Sequence, residues 1–588
     1  MSNVTSGKVA LSGGSSAAEK TVTVAGFSGI DQRVCPGVEP SGTKPSAVAD
    51  VQNFRVLSGG ALEKRSGFRH LATLNAPIRA AITLLYAGKE HLFCATKEGV
   101  YDYTEEDGIR RILSVASTGS CAAFYRDAYG LCLFTNGQIL RVTPSEVRDS
   151  AYIPLYLKEH QNTQRVTSAD VYEDVNLLTR FVRLTYQFAE YSDYLRLPFT
   201  PKSVRSFKVD GKELTGTYTY ETDSMGTLVR LPASYPKDHT AEIVCEVPDS
   251  VYGENSHPLA DVRGVFLART EGLEDRQHLL LAEKDGGIRW SDPIPEYTPD
   301  GIYIPAANFY DPVPDGYPIT GFARHFDRIL CFTENATYQL VRLLPSPRFR
   351  FCNGSIGCSS PTAAATVENA PVTVSDGNLC RFTDTTETSN LDDASPVSDA
   401  IGTLGLTGDA YLFFDRTRQE LWIRDLGDEN GLVRIYRVRT GTWYDFTGIV
   451  ASGFFSFAGQ VGYFGGKSLY LTDEALTADQ SPTGAAVPIR ALAETHWMGF
   501  GDRDPVRRSG SLAISCSTGG GKISVTLTTD TGSVATAVLG KETPSAPGAP
   551  ALIEYGFTPG RFHFFRVRIV SDGVERVGLY RLSLTGRK

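Results

Sequence analysis

The stretch KEHLFCATKEGVYDYT, residues 89–104, runs apolar from Leu92 to Ala95, breaks at a short polar turn ending in Gly99, and runs largely apolar again from Val100 to Tyr103. Two such runs joined by a tight turn predict an antiparallel β-hairpin. The pattern returns as YGLCLFTNGQILRVT (129–143), HLLLAEKDGGIRWSD (278–292), DRILCFTENATYQLV (327–341), APVTVSDGNLCRFTD (370–384), QELWIRDLGDENGLVRIYRV (419–438) and GQVGYFGGKSLYLTD (459–473). Their turns carry Asn-Gly, Asp-Gly, Glu-Asn or Gly-Gly, residues that accept positive φ in hairpin loops.

Repeated hairpins spaced by about 40 residues match the length of a four-stranded propeller blade. A single blade cannot bury both of its faces, so blades must pack against one another around a ring. The expectation is therefore an all-β chain built on a β-propeller of about 6–7 blades, spanning 27–154 and 256–485. The period breaks after residue 143. The interval 155–255 reads as four or five further strands and predicts an inserted β-sandwich. Residues 486–588 alternate strongly with period two, as in SLAISCSTGGGKISVTLTTDTG and FHFFRVRIVSDGVERVGLYRLSLTG, and predict a second, C-terminal β-sandwich. The Ser/Gly/Ala-rich start, 1–26, reads as a flexible arm.

Composition supports the β reading. The 588 residues include 57 Gly, 27 Tyr and 30 Phe but 3 Met, which favours many short strands and turns over helices. The formal net charge of −9 argues against a chain that grips nucleic acid, because phosphate binding needs clustered Lys and Arg. Ten Cys are scattered without a CxxC pair, and nine His without HxxxH, so no zinc site is legible and the thiols read as buried and reduced. The N-terminus lacks the apolar core of a signal peptide, and no stretch approaches the roughly 20 apolar residues of a membrane helix. Folding in a cytoplasm is the expectation.

No catalytic signature is legible in the sequence. In EKDGGIRWSD, Asp285, Gly287 and Trp290 fit part of the Asp-box turn of sialidase-like propellers, but Glu283 stands where Ser or Thr opens that box. STGGGKIS (517–524) lacks phosphate-loop spacing and lies within a strand pattern. The sequence therefore predicts no enzyme, no catalytic residues, no metal and no cofactor.

The start of the chain carries a resemblance. FSGIDQR (27–33) followed by AVADVQNFRVLSGGALEKRSGF (47–68) resembles the N-termini of the tail nozzle, or head-to-tail stabilisation, proteins of short-tailed bacteriophages, through Phe27, Gly29, Ile30, Ala47, Asn53, Phe54, Gly60, Leu62, Lys64, Arg65 and Gly67. IRWSD (288–292), NATYQLV (335–341) and IRALAETHWMGFGDRDPVRR (489–508) are similar to strings in the same group. Ser66 departs from the proline common at that place. The resemblance implies a structural virion protein, located in the tail. It implies a hexameric ring below the portal and adaptor proteins, near tail fibres or spikes, with genome DNA passing through its channel without specific binding. Lys64 and Arg65 are then expected to face solvent or to pair with acids on a neighbour, and with Arg69 they are the expected inter-subunit or partner contacts. Two alternatives stand beside this reading: a receptor- or glycan-binding propeller at the tail tip, and a sialidase-like glycan-cleaving enzyme.

Overall fold

The computed structural model describes residues 19–33, 47–114, 122–135, 137–252, 259, 262–269, 277–284, 287–295, 301–310, 317–326, 328–343, 347–382, 394–500, 509–540 and 550–587. Strands dominate, and the fold is β-propeller-like. Six strand groups follow one plan, four antiparallel strands in chain order. The first comprises Ile78–Tyr86, Lys89–Thr96, Gly99–Thr104 and Gly108–Ser114. The others open at Ala122, Val262, Gly321, Ala364 and Ala410. A seventh group, Gly453–Phe457, Gln460–Gly465 and Ser468–Asp473, takes its fourth strand from the other end of the chain, Gly67–Thr73. All seven hairpins read from the sequence are the second and third strands of these groups.

The first strands of the groups touch in chain order, and that of the seventh returns to that of the first. Between the third and fourth groups the link is a shared apolar core, in which Phe266 stacks on Phe322 at 5.8 Å between ring centroids. The second strands run nearly uninterrupted in apolar residues because both of their faces are covered; Leu92, Phe93, Cys94 and Ala95 are all buried.

Between the second and third groups, residues from Leu155 to Glu246 make a five-stranded and a three-stranded sheet of their own. They enclose a separate core around Leu184, Tyr186, Phe188 and Ile243.

The C-terminal strands, expected as a β-sandwich over 486–588, share their sheets with segments from elsewhere in the chain. The sixth strand group continues through Val48–Gln52 into Ala491–Thr495, Phe564–Ser571, Ile523–Thr529 and Val534–Leu539, giving a ten-stranded sheet. A facing sheet joins Ser509–Ser517, Ala551–Phe557 and Gly578–Arg587 to the hairpin Phe54–Val56/Leu62–Lys64 and to Lys20–Ala25. Residues 48–64, expected in the first blade, thus lie in the seam between the strand groups and the C-terminal strands. The arm expected over 1–26 is corrected from Lys20 onward: Val22 and Val24 alternate with threonines along the last strand, and this period-two pattern is strand rather than linker. Residues 1–18 lie outside the described residues.

All eight described cysteines are free and buried, as expected; Cys35 and Cys121 lie outside the described residues. Burial pushes the Cys132, Cys245 and Cys358 thiols up to about 12 and those of Cys380 and Cys516 up to about 11. Asp285 of the Asp-box-like turn is outside the described residues. Its Gly287 packs against the Phe309 ring, and Trp290 is buried.

A cationic cleft at the seam

The residues of the opening motif converge on this seam. Asn53 has φ of 54°, a left-handed conformation that Asn tolerates better than most side chains. Its amide then works in several directions. Oδ1 accepts from the Thr447 backbone N–H and from Arg65 Nε, both at 2.9 Å, while Nδ2 donates to Thr447 Oγ1 and to the Arg490 carbonyl, both at 2.7 Å. One side chain therefore ties the N-terminal segment to the sixth strand group and to the C-terminal strands.

Arg65 lies beneath it, 3% exposed. Its two terminal nitrogens grip both oxygens of Asp479 at 2.8 and 2.7 Å, a bidentate pairing that lends direction as well as charge. The guanidinium also sits over the rings of Phe68 and Phe446. Asp479 Oδ1 further accepts from the Phe68 N–H. Two glycines have steric reasons to be there. A Cβ on Gly67 would stand 1.9 Å from the Ala478 carbonyl oxygen, and one on Gly29 (φ +91°) would stand 2.6 Å from that of Trp443.

This corrects the reading of Lys64 and Arg65 as solvent-facing. Lys64 is 2% exposed and donates to the Gly573 carbonyl at 2.5 Å. Burial holds its ammonium below its ordinary pKa. Both side chains answer to groups on distant segments of the same chain, which charge type alone does not reveal. Arg69 is different: it is half-buried on the outer strand of the seventh group and pairs with Glu105 at 2.8 Å, so the structure does not bring it to the other two.

Lys64 and Arg65 border an open cleft of about 610 Å³. Its other charged walls come from residues that no local motif marks: Arg55, Arg418, Arg437, Arg439 and Arg576, against Glu63, Glu420 and Glu474. Seven cations thus face three carboxylates on a chain of negative net charge. The three acids are already engaged. Glu420 pairs with Arg55 at 3.1 Å and accepts from the Tyr444 hydroxyl at 2.6 Å; Glu63 pairs with Arg576 at 2.9 Å; Glu474 pairs with Arg418 at 2.8 Å. Burial works to lower the Arg55 pKa, but Glu420 and Tyr444 beside it raise it on balance. Arg437 donates to the Val56 carbonyl at 3.0 Å, and Arg439, exposed on the following turn, has no hydrogen-bond or ion-pair partner among the described residues. Such a cleft attracts anionic groups. Among the described residues no group of His, Cys, Asp and Glu is placed to hold a metal ion.

No protein-family model matches the chain, and no curated protein matches it. Among solved structures, three are similar to the chain at low identity and low TM-score. BBS1N in complex with ARL6DN is 10% identical, with a TM-score of 0.32, over 70% of this chain and 98% of that one. A gluconolactonase from Xanthomonas campestris is 12% identical, with a TM-score of 0.28, over 74% and 99%. The extracellular domain of a one-component system from B. thetaiotaomicron is 11% identical, with a TM-score of 0.26, over 89% and 81%.

Proposed function

We propose that the chain is a structural component of a short-tailed phage tail, a nozzle subunit built on a seven-bladed propeller with an inserted and a C-terminal β-sandwich. In this reading six copies form a ring below the portal and adaptor, and the genome leaves through the central channel. The observation that carries the proposal is the seam. Phe27, Gly29, Ile30, Asn53, Phe54, Gly60, Leu62, Lys64, Arg65 and Gly67, the residues of the nozzle-like N-terminus, lie along one joint between the strand groups and the C-terminal strands. Phe27 N–H donates to the Gly60 carbonyl at 2.6 Å, Ile30 N–H to that of Trp443 at 2.8 Å, and Lys64 N–H to that of Val577 at 2.8 Å. A subunit that bears load between head and tail needs such a joint to be covalently continuous and internally braced.

Ring contacts on the order of 1,000 Å² or more per pair are required for a stable assembly. Because Arg65 is buried and paired with Asp479 inside the chain, flat ring contacts are expected to use other surfaces. The test is electron microscopy of the purified chain with its portal complex. A sixfold ring supports the proposal, and a chain that never joins the complex overturns it.

A further inference from the structure

The charge balance of the cleft has a chemical consequence that holds whether or not the chain belongs to a tail. Three of its cations lack a carboxylate partner among the described residues. Lys64 is nearly fully buried, yet its ammonium, with three donors, makes one hydrogen bond, to a carbonyl oxygen. Arg437 likewise donates to a carbonyl, and Arg439 to nothing. The Lys64 ammonium makes no direct ion pair, and the nearby Glu575, Asp572 and Asp479 offset its burial only in part, a cost that a ligand carboxylate in contact with it would relieve. The arginines at the rim present planar forks suited to the same group.

We propose that this cleft docks a carboxylate-rich peptide segment of a partner protein. The geometry favours a peptide over nucleic acid. A polyphosphate backbone is held by an extended track of cations, whereas these cations are gathered in one concavity and interleaved with Glu63, Glu420 and Glu474, which would repel successive phosphates. A peptide can present two or three carboxylates to Lys64, Arg437 and Arg439 and carry neutral residues past the acids. The surrounding chain is acidic, so the attraction is local, and it steers the segment to this place rather than to the surface at large.

The test uses the full chain and a fluorescein-labelled peptide of about eight residues in which glutamate alternates with glycine, read by fluorescence anisotropy at low salt, where such contacts are least screened. Saturable binding is expected, weakened at least about tenfold by Arg439→Glu. Arg439 has no partner to lose, so this variant should melt like the parent. Arg348→Glu, an equally exposed charge reversal on the fourth strand group, should leave binding unchanged. Lys64→Met, which keeps the apolar stem, should also weaken it; if that variant does not fold, Arg439→Glu still decides. Absence of saturable binding, an equal loss in Arg439→Glu and Arg348→Glu, or tighter binding of an oligothymidylate of the same charge would each overturn the proposal.

Discussion

Arg65 Nε donates to Asn53 Oδ1 at 2.9 Å while the rest of its guanidinium holds both oxygens of Asp479, so that the N-terminal segment meets a residue 414 positions away at one buried cation. Removing the cation leaves the Asp479 carboxylate without its counter-charge, with only the Phe68 N–H still donating to it, and takes one of two donors from the Asn53 amide oxygen. Arg65→Ala should therefore destabilise the protein by about 3–5 kcal/mol. Arg65→Lys should recover only part of this, because an ammonium cannot span both carboxylate oxygens in the same plane. Thermal or denaturant unfolding measures both. A change under about 1 kcal/mol for Arg65→Ala would mean that the charge is exposed in solution.

Gly67 tests the same seam by shape alone. Its Cβ would overlap the Ala478 carbonyl, whereas one on Gly59 meets nothing within 4 Å. Gly67→Ala should lower the melting temperature sharply or prevent soluble expression, and Gly59→Ala should leave it nearly unchanged. Equal behaviour of the two would contradict the close approach.

Much of the strand plan was legible beforehand, and the reasons are local. Hairpins such as 89–104 carry their own turn residues and paired apolar runs, so neighbours in sequence are neighbours in the sheet. The seam was not legible in this way. Gly67–Thr73 completes a sheet whose other strands begin at Gly453, and Val48–Gln52 joins the sixth strand group through one register pair, Gln52 with Asp445. Lys64 and Arg65 look like a surface patch because their partners, Gly573 and Asp479, lie 509 and 414 positions away. The cleft shares this difficulty: Arg55, Arg437 and Arg576 come from three segments that no spacing rule connects.

Asp445 should make stability pH-dependent in the opposite sense to most carboxylates. Burial raises its pKa to about 6 from an ordinary 3.8; Arg434, at 3.2 Å, lowers it in part and Asp50 raises it further. The folded state therefore binds this proton more tightly than the unfolded state does. The stabilisation is fully present below about pH 4 and is lost as the pH rises through about 6, by roughly 1–3 kcal/mol in all. Asp445→Asn should be more stable than the parent at about pH 7.5 and gain little near pH 4. Unfolding curves of both proteins across that range check the sign, and an Asn variant less stable at neutral pH would refute it.

The eight buried thiols should resist alkylation in the native protein and react on unfolding, since burial disfavours the thiolate. Mass spectrometry after labelling under native and then denaturing conditions assigns each one. Rapid native labelling of Cys94, Cys132 or Cys331, which lie within the strand groups, would show that these open in solution.

The proposed role is that of one subunit in a ring at a head–tail joint. Cryo-electron microscopy of the purified chain, alone and mixed with the portal and adaptor of its own particle, tests it most directly. The account predicts single copies or weak oligomers for the free chain, and with the platform a sixfold ring around an open central channel. A chain that remains a single copy in the presence of the platform, or that is missing from purified particles, would contradict it.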